Sequence, residues 1–77
     1  MSKQMQFLKS LAQSDLAKQG DVKNYIDRLG SLILAREETQ VGYMQAFRQV
    51  NNAFQDLDLE TQAQIDSIAH KVYQDEN

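Results

Sequence analysis

The chain has 77 residues, a formal net charge of −3 and a pI near 4.9, and it contains no cysteine, no proline and one histidine. The lack of cysteine excludes disulfides and thiolate chemistry, and one histidine cannot build a multi-histidine metal site. This length predicts one domain over residues 1–77, near the lower limit for a core that is stable without a disulfide, a metal or a partner.

The composition favours helix and gives no sign of a membrane segment. The longest apolar run is Leu32 to Ala35, whereas a membrane-spanning helix needs about 20 residues. The first 15 residues also lack the continuous apolar run of a signal peptide. We therefore expect a cytoplasmic protein that does not enter a membrane. Eleven glutamines, three glycines and no proline predict an all-α fold.

The first predicted helix covers about Lys3 to Lys18. Its apolar stripe recurs at spacings of three and four residues, and Phe7 and Leu11 widen it on one flank. The members of the stripe are Met1, Met5, Leu8, Ala12 and Leu16. The sequence Gln19-Gly20-Asp21 then predicts a break, in which the glycine takes a left-handed conformation and the aspartate caps the next helix.

Residues 22–55 are predicted to form one long central helix. At about 100° per residue, the apolar side chains before and after residues 36–40 fall on the same face, so the helical phase is unbroken. This face comprises Val22, Tyr25, Ile26, Leu29, Leu32, Ile33, Tyr43, Met44, Phe47, Val50 and Phe54. Three polar residues interrupt the face, namely Arg36, Glu37 and Gln40. The sequence therefore leaves open the alternative of a four-helix up-down bundle with a turn near residues 38–41.

The acidic segment Asp56-Leu57-Asp58-Leu59-Glu60 predicts the last junction, with either aspartate as the N-cap of a final helix. The same acids match the first three ligand positions of a calcium loop. However, Thr61 occupies the position that requires glycine, and Ser67 occupies the position that requires glutamate. Helix capping therefore explains the acids better. The final helix has a narrow apolar stripe, made of Ile65, Ile68, Ala69 and Val72, with Tyr73 on its flank.

The predicted architecture is a long central helix over about 22–55, flanked by two shorter antiparallel helices. Such an arrangement is only two helices thick, so part of its apolar surface stays exposed and a homodimer would cover it. We predict the interface on the flank of the central helix and in the polar layer that interrupts its stripe. Its candidate residues are Gly30, Leu34, Arg36, Glu37, Gln40 and Val41.

The sequence predicts no catalytic residue, no cofactor site and no metal site. His70 falls on the polar side of the last helix with Ser67 one turn before it, and this spacing is too common to indicate a nucleophile. The three glycines stand singly, so no phosphate-binding loop is indicated. The methionine and aromatic series within residues 43–54 suits a cofactor pocket or an adaptable peptide groove, but it is more typical of core. We therefore expect a non-enzymatic protein.

Charge is unevenly distributed along the chain. Residues 1–28 have five basic and three acidic side chains, a net charge of +2, and residues 56–77 have one basic and six acidic side chains, a net charge of −5. This asymmetry favours contact between the two ends of a chain and antiparallel pairing between chains. The acidic pI disfavours nucleic acid as a partner, although a basic face on the first helix leaves a nucleic-acid-associated regulator as the alternative function.

The function that these features favour is protein–protein interaction. We expect a small helical adaptor or regulatory protein that acts through its helical faces as a homodimer and binds another protein. Short, glutamine-rich helical chains of this composition are frequent among bacterial and phage accessory proteins.

Overall fold

The computed structural model describes residues 2–34 and 40–74 of the chain. These residues form four α-helices and one short 3₁₀-helix. The α-helices are α1 (Lys3–Gln13), α2 (Gly20–Leu34), α3 (Gln40–Gln55) and α4 (Leu59–Gln74), and the 3₁₀-helix (Asp15–Lys18) lies between α1 and α2. The prediction of an all-α fold is confirmed.

Helices α2 and α3 pack side by side and run in opposite directions. The Arg28 Nη1 donates to the Gln49 Oε1 at 3.1 Å, and the ring centroids of Tyr25 and Phe54 are 5.5 Å apart. In one straight helix, residues 25 and 54 would lie about 43 Å apart. A single helix over residues 22–55 is therefore wrong for this structure. The chain reverses direction between α2 and α3, and the four-helix alternative fits.

The unbroken apolar phase of residues 22–55 is compatible with this hairpin. Val22, Tyr25 and Leu29 of α2 and Val50 and Ala53 of α3 are all buried in the same core. When two helices fold against each other, each turns its own stripe toward the other, so the phase on the two sides of the turn need not differ. Folding removes part of both stripes from water, which a straight helix in a monomer cannot do.

Helix α1 ends earlier than predicted. The backbone at Ser14 is extended, with φ −79° and ψ 162°, and the Ser14 hydroxyl donates to the Leu11 carbonyl at 2.6 Å. A serine side chain that bonds the backbone in this way offers the chain an alternative to the next helical turn. The prediction of one helix as far as Lys18 is therefore wrong, and residues 15–18 form the separate 3₁₀-helix.

The apolar face of α1 also differs from its predicted centre. Phe7 and Leu11 are the buried side chains of α1, although the sequence placed them on the flank of the stripe. Leu8 is only partly buried, and Ala12 is exposed. The core-facing direction of α1 is therefore rotated toward Phe7 and Leu11, because α1 has to contact both α2 and α4.

The break before α2 forms without a left-handed residue. No described residue has a positive φ, so the conformation predicted for Gly20 is wrong, and Gly20 is instead the first residue of α2. The extended backbone at Gln19 makes the break. Asp21 lies in the first turn, where its Oδ1 accepts a hydrogen bond from the Val22 N–H at 2.9 Å and where a negative charge suits the helix dipole.

The corner between α3 and α4 is held from both sides. The Asp58 Oδ1 accepts from the Thr61 N–H at 2.7 Å and so caps the start of α4. The Gln62 side-chain amide donates to the carbonyls of Phe54 and Leu57, at 3.1 and 2.9 Å, and so satisfies acceptors at the end of α3. Of the two caps that the sequence allowed, the structure uses Asp58.

One apolar cluster joins the four helices. Its most deeply buried side chains are Leu11 of α1, Val22 of α2 and Ile65 of α4. Helix α2 packs between α1 and α3, whereas α4 packs on α1 and does not lie along α3. The molecule is consequently flat, with extents of 33 × 32 × 17 Å.

Candidate functional site

Apolar side chains are exposed together on the first half of α3. Val41 is 68% exposed, and Tyr43, Met44 and Phe47 are 48%, 49% and 50% exposed. At about 100° per residue, these four side chains span about 160° of the helix surface: Tyr43 and Phe47 lie next to the side that packs on α2, and Met44 and Val41 continue away from it. We call Val41, Tyr43, Met44 and Phe47 the α3 flank.

The exposure of the α3 flank corrects the prediction that this series is core. Val50 is buried and Phe54 is partly buried, so the second half of α3 behaves as predicted. Tyr43, Met44 and Phe47 are half exposed instead. The reason is the path of α4, which turns away at the corner and packs on α1, so that α2 is the only described helix against which α3 packs extensively.

Helix α3 has the composition of an interface. It has one charged side chain, Arg48, in 16 residues, whereas the 25% of charged residues in the whole chain would give four. Its exposed polar side chains are otherwise amides, on Gln45, Gln49, Asn51, Asn52 and Gln55. Protein interfaces are enriched in tyrosine, phenylalanine, methionine and arginine and depleted in lysine, aspartate and glutamate. This depletion is readable in the sequence, and it is the signal that would have indicated the surface.

A depression of about 240 Å³ lies beside the α3 flank. Its lining is Tyr25, Phe47, Val50, Asn51, Phe54 and Asp66. We call it the α3–α4 depression, because α3 supplies most of its described lining and Asp66 of α4 is the one charged side chain among those described residues. The volume is below the roughly 300–1,000 Å³ of small-molecule sites, so the depression is better suited to a protein side chain.

The electrostatics of the depression are set by Tyr25 and Asp66. Burial of the phenol raises the pKa of Tyr25 above its ordinary value of 10.0, and the negative charge of Asp66 raises it further. Tyr25 therefore stays neutral at physiological pH and cannot serve as a base there. The depression has an apolar floor and a carboxylate at its edge. These features suit the binding of an apolar side chain that has a cation nearby.

The structure places two of the predicted interface residues in different surroundings. Gly30 lies in a groove between α1 and α2, where an added Cβ would be 3.8 Å from the Leu8 Cδ2. Val41 lies with Met44 and Arg48 in a shallow depression whose described lining belongs to α3. The two depressions share no described residue. Of these two, Val41 belongs to the α3 flank and Gly30 does not.

For the other four predicted interface residues, the structure does not describe the side chains. Arg36 and Glu37 lie in the segment 35–39, and the side chains of Leu34 and Gln40 are not described either. Their assignment to an interface stays a prediction.

A groove between α1 and α4 brings two cations to one surface. Lys9 of α1 and Lys71 of α4 both line it, with Ile68 and Val72 beside them. Residues that are far apart in the sequence thus meet because α4 packs on α1. The one cation of the acidic final segment lies on this side of the molecule.

The described residues include few groups suited to chemistry. His70 and Ser67 are both exposed on α4. Within residues 2–34 and 40–74, no three histidine, cysteine, aspartate or glutamate side chains are arranged to hold a metal ion. None of the described helices combines the length and the apolarity needed to cross a membrane.

Comparison with known proteins identifies no relative. No protein-family model matches the chain, and no curated protein or solved structure is significantly similar to it. We therefore infer the function from the exposed surface of the molecule, in which the α3 flank and the α3–α4 depression stand out.

Proposed function

We propose that this chain is a small, non-enzymatic interaction protein that acts through the α3 flank and forms a homodimer. The observation that carries the proposal is the exposure of four large apolar side chains side by side on one helix. Isolated apolar side chains are normal on protein surfaces, but contiguous apolar patches mark interaction sites. An amphipathic helix that presents such a face is a common recognition element.

The accessible surface of the molecule supports association. It is 5593 Å², about 800 Å² more than the roughly 4,800 Å² expected for a folded monomer of 8.8 kDa. A standard-size interface buries about 800 Å² on each partner. The molecule is 17 Å thick along its shortest axis, and a second copy placed on one face would reduce its accessible surface.

The adaptor or regulatory role follows from the same surface. The exposed His70 and Ser67 lie outside the depressions described above, and among the described residues that line its depression the neutral Tyr25 has Asp66 as its one charged neighbour. These groups do not form a nucleophile with its base, and they suit recognition better than catalysis. With no cysteine in the chain, we take the cytoplasm as the compartment.

A charge on the α3 flank should separate the dimer. Met44→Glu places a carboxylate in the middle of the flank, where association would bury it without a partner, so we expect dimer affinity to fall at least about tenfold. Gln49→Glu is the matched control, because it introduces the same charge on the same helix but beside the Arg28 guanidinium. Sedimentation equilibrium gives the dissociation constant of each variant.

The control variant should retain the affinity of the wild type. Both positions are exposed, so both variants should keep the helical circular dichroism of the wild type. If the two substitutions weaken association equally, or if neither weakens it, the α3 flank is not the dimer interface.

A nucleic-acid-associated regulator is the second candidate, favoured by the meeting of Lys9 and Lys71 in one groove. A dimer would carry two such grooves, and phosphate contacts would then come from both chains. The net charge of −3 opposes this function. Binding to mixed-sequence DNA at low salt, with Lys9→Gln and Lys71→Gln as variants, decides between the two. Salt-sensitive binding that both variants lose would place this candidate first.

A further inference from the structure

Helices α3 and α4 leave an opening between them. They are joined by the corner at residues 56–58 but do not pack side by side, because α4 packs on α1. The α3–α4 depression lies in this opening. On the α4 side, Tyr73 is 45% exposed and Leu59 is 81% exposed. Each is seven residues from Asp66, and at 100° per residue each lies within about 20° of it around the helix. The opening therefore has exposed apolar side chains on both sides.

Arg48 and Asp66, two opposite charges on these surfaces, form no ion pair with another described residue. The ion pair seen between described residues joins Lys18 to Asp15 at 3.8 Å. Arg48, which lines the shallow depression beside the α3 flank, and Asp66, which lines the α3–α4 depression, are both exposed. Each copy thus has one cation beside its flank and one anion beside its depression. Such an arrangement is complementary to itself, which is the requirement for a two-fold interface.

We propose that the occupant of the α3–α4 depression is the α3 flank of a second copy, so that Arg48 of each chain pairs with the partner's Asp66. This inference rests on the proposed function, since it specifies the geometry of that dimer. Met44 is the side chain that we place in the partner's depression. It lies between Phe47 and Arg48 around the helix, and methionine adapts to irregular gaps.

Several observations favour a second copy over an unrelated protein. The surplus of surface equals about one standard-size interface per chain, and the cation and anion needed for the pairing are both present in this sequence. A two-fold contact forms the ion pair twice, because Arg48 meets the partner's Asp66 while Asp66 meets the partner's Arg48. The apolar contact supplies the buried area of the interface, and the two ion pairs fix the position of one chain relative to the other.

Charge reversal tests the pairing. Arg48→Glu and Asp66→Lys each bring like charges together at both ion pairs, so we expect each variant to weaken dimer affinity about tenfold at low ionic strength. The double variant restores both pairs with their signs exchanged, and its dissociation constant should return to within about threefold of the wild type. Lys18→Glu is the control, because it makes the same change in net charge as Arg48→Glu at a remote exposed site.

The outcomes separate this inference from the proposed function. Recovery of affinity in the double variant, with no loss in Lys18→Glu, supports the pairing of Arg48 with the partner's Asp66. If the double variant is no stronger than the weaker single variant, or if neither reversal has an effect while Met44→Glu still dissociates the dimer, the pairing is wrong and the α3 flank remains the interface. A wild type that stays monomeric at every concentration overturns both proposals.

Discussion

At the scale of single residues, Ile65 and Phe47 illustrate what a helical pattern can predict. Both belong to the apolar stripe of their helix, yet Ile65 is 1% exposed and Phe47 is 50% exposed. A stripe shows which side of a helix is apolar, but the burial of each position depends on which other helix covers it. The half-exposed Phe47 therefore indicates a surface that the monomer leaves uncovered.

The two side chains should differ in their contribution to the stability of the monomer. Ile65→Ala leaves a cavity in the core and should lower the free energy of unfolding by about 2–5 kcal/mol. Phe47→Ala leaves no enclosed cavity and removes a ring that is already half in water, so it should cost about 1 kcal/mol. Urea denaturation in dilute solution measures both values. Equal losses would show that Phe47 is part of the core.

The cap at Asp58 predicts a dependence of stability on pH. Hydrogen bonds from the hydroxyl and the N–H of Thr61 lower the pKa of Asp58 from its ordinary value of 3.8. Because the folded pKa lies below the unfolded one, the stabilisation is complete above pH 3.8 and is lost as the pH falls through the folded value. Asp58→Asn keeps a capping oxygen that does not titrate.

Denaturation midpoints as a function of pH check this expectation. Relative to Asp58→Asn, the wild type should lose stability as the solution is acidified below pH 3.8 and should show no such relative loss near neutrality. Parallel curves for the two proteins across the acidic range would show that the Asp58 carboxylate does not cap α4.

At the scale of elements, the sequence predicts the junctions whose chemistry is local. The start of α4 is one, because Asp58 caps a nearby N–H, that of Thr61. The reversal between α2 and α3 is different. Residues 36–40 are mostly good helix formers, and the apolar phase is the same before and after them, so no local signal separates a turn from a continuous helix. The choice between a turn and a continuous helix depends on how much apolar surface each buries in the folded chain. The spacing of residues in the sequence does not report this burial.

Gly30 tests the packing of α1 on α2. The sequence placed this glycine among the candidate interface residues, but in the structure it faces α1, and an added Cβ would lie 3.8 Å from the Leu8 Cδ2, which is an ordinary contact. Gly30→Ala should therefore raise the free energy of unfolding by about 0.5–1 kcal/mol, because alanine favours the helix interior over glycine. Thermal or urea denaturation measures the change. A loss of stability would show that α1 lies closer to α2 than the structure has it.

At the scale of the whole molecule, the interaction surface depends on which helix α4 packs against. The charge asymmetry of the chain favours contact between its ends, and α1 does pack on α4. That packing leaves α3 uncovered on one side, and it brings Tyr25, Phe47 and Asp66 from three helices to one depression. No spacing in the sequence predicts that these three residues lie close together. The low charge of α3 can be read from the sequence, whereas the depression can be identified only from the fold.

The mass of the particle in solution tests the central claim most directly. Sedimentation equilibrium of the wild type over a wide range of concentration should show the monomer of 8.8 kDa at high dilution and twice that mass at high concentration. Met44→Glu should remain at the monomer mass over most of the same range. A wild type that sediments as an 8.8 kDa monomer throughout, indistinguishable from Met44→Glu, would contradict the account.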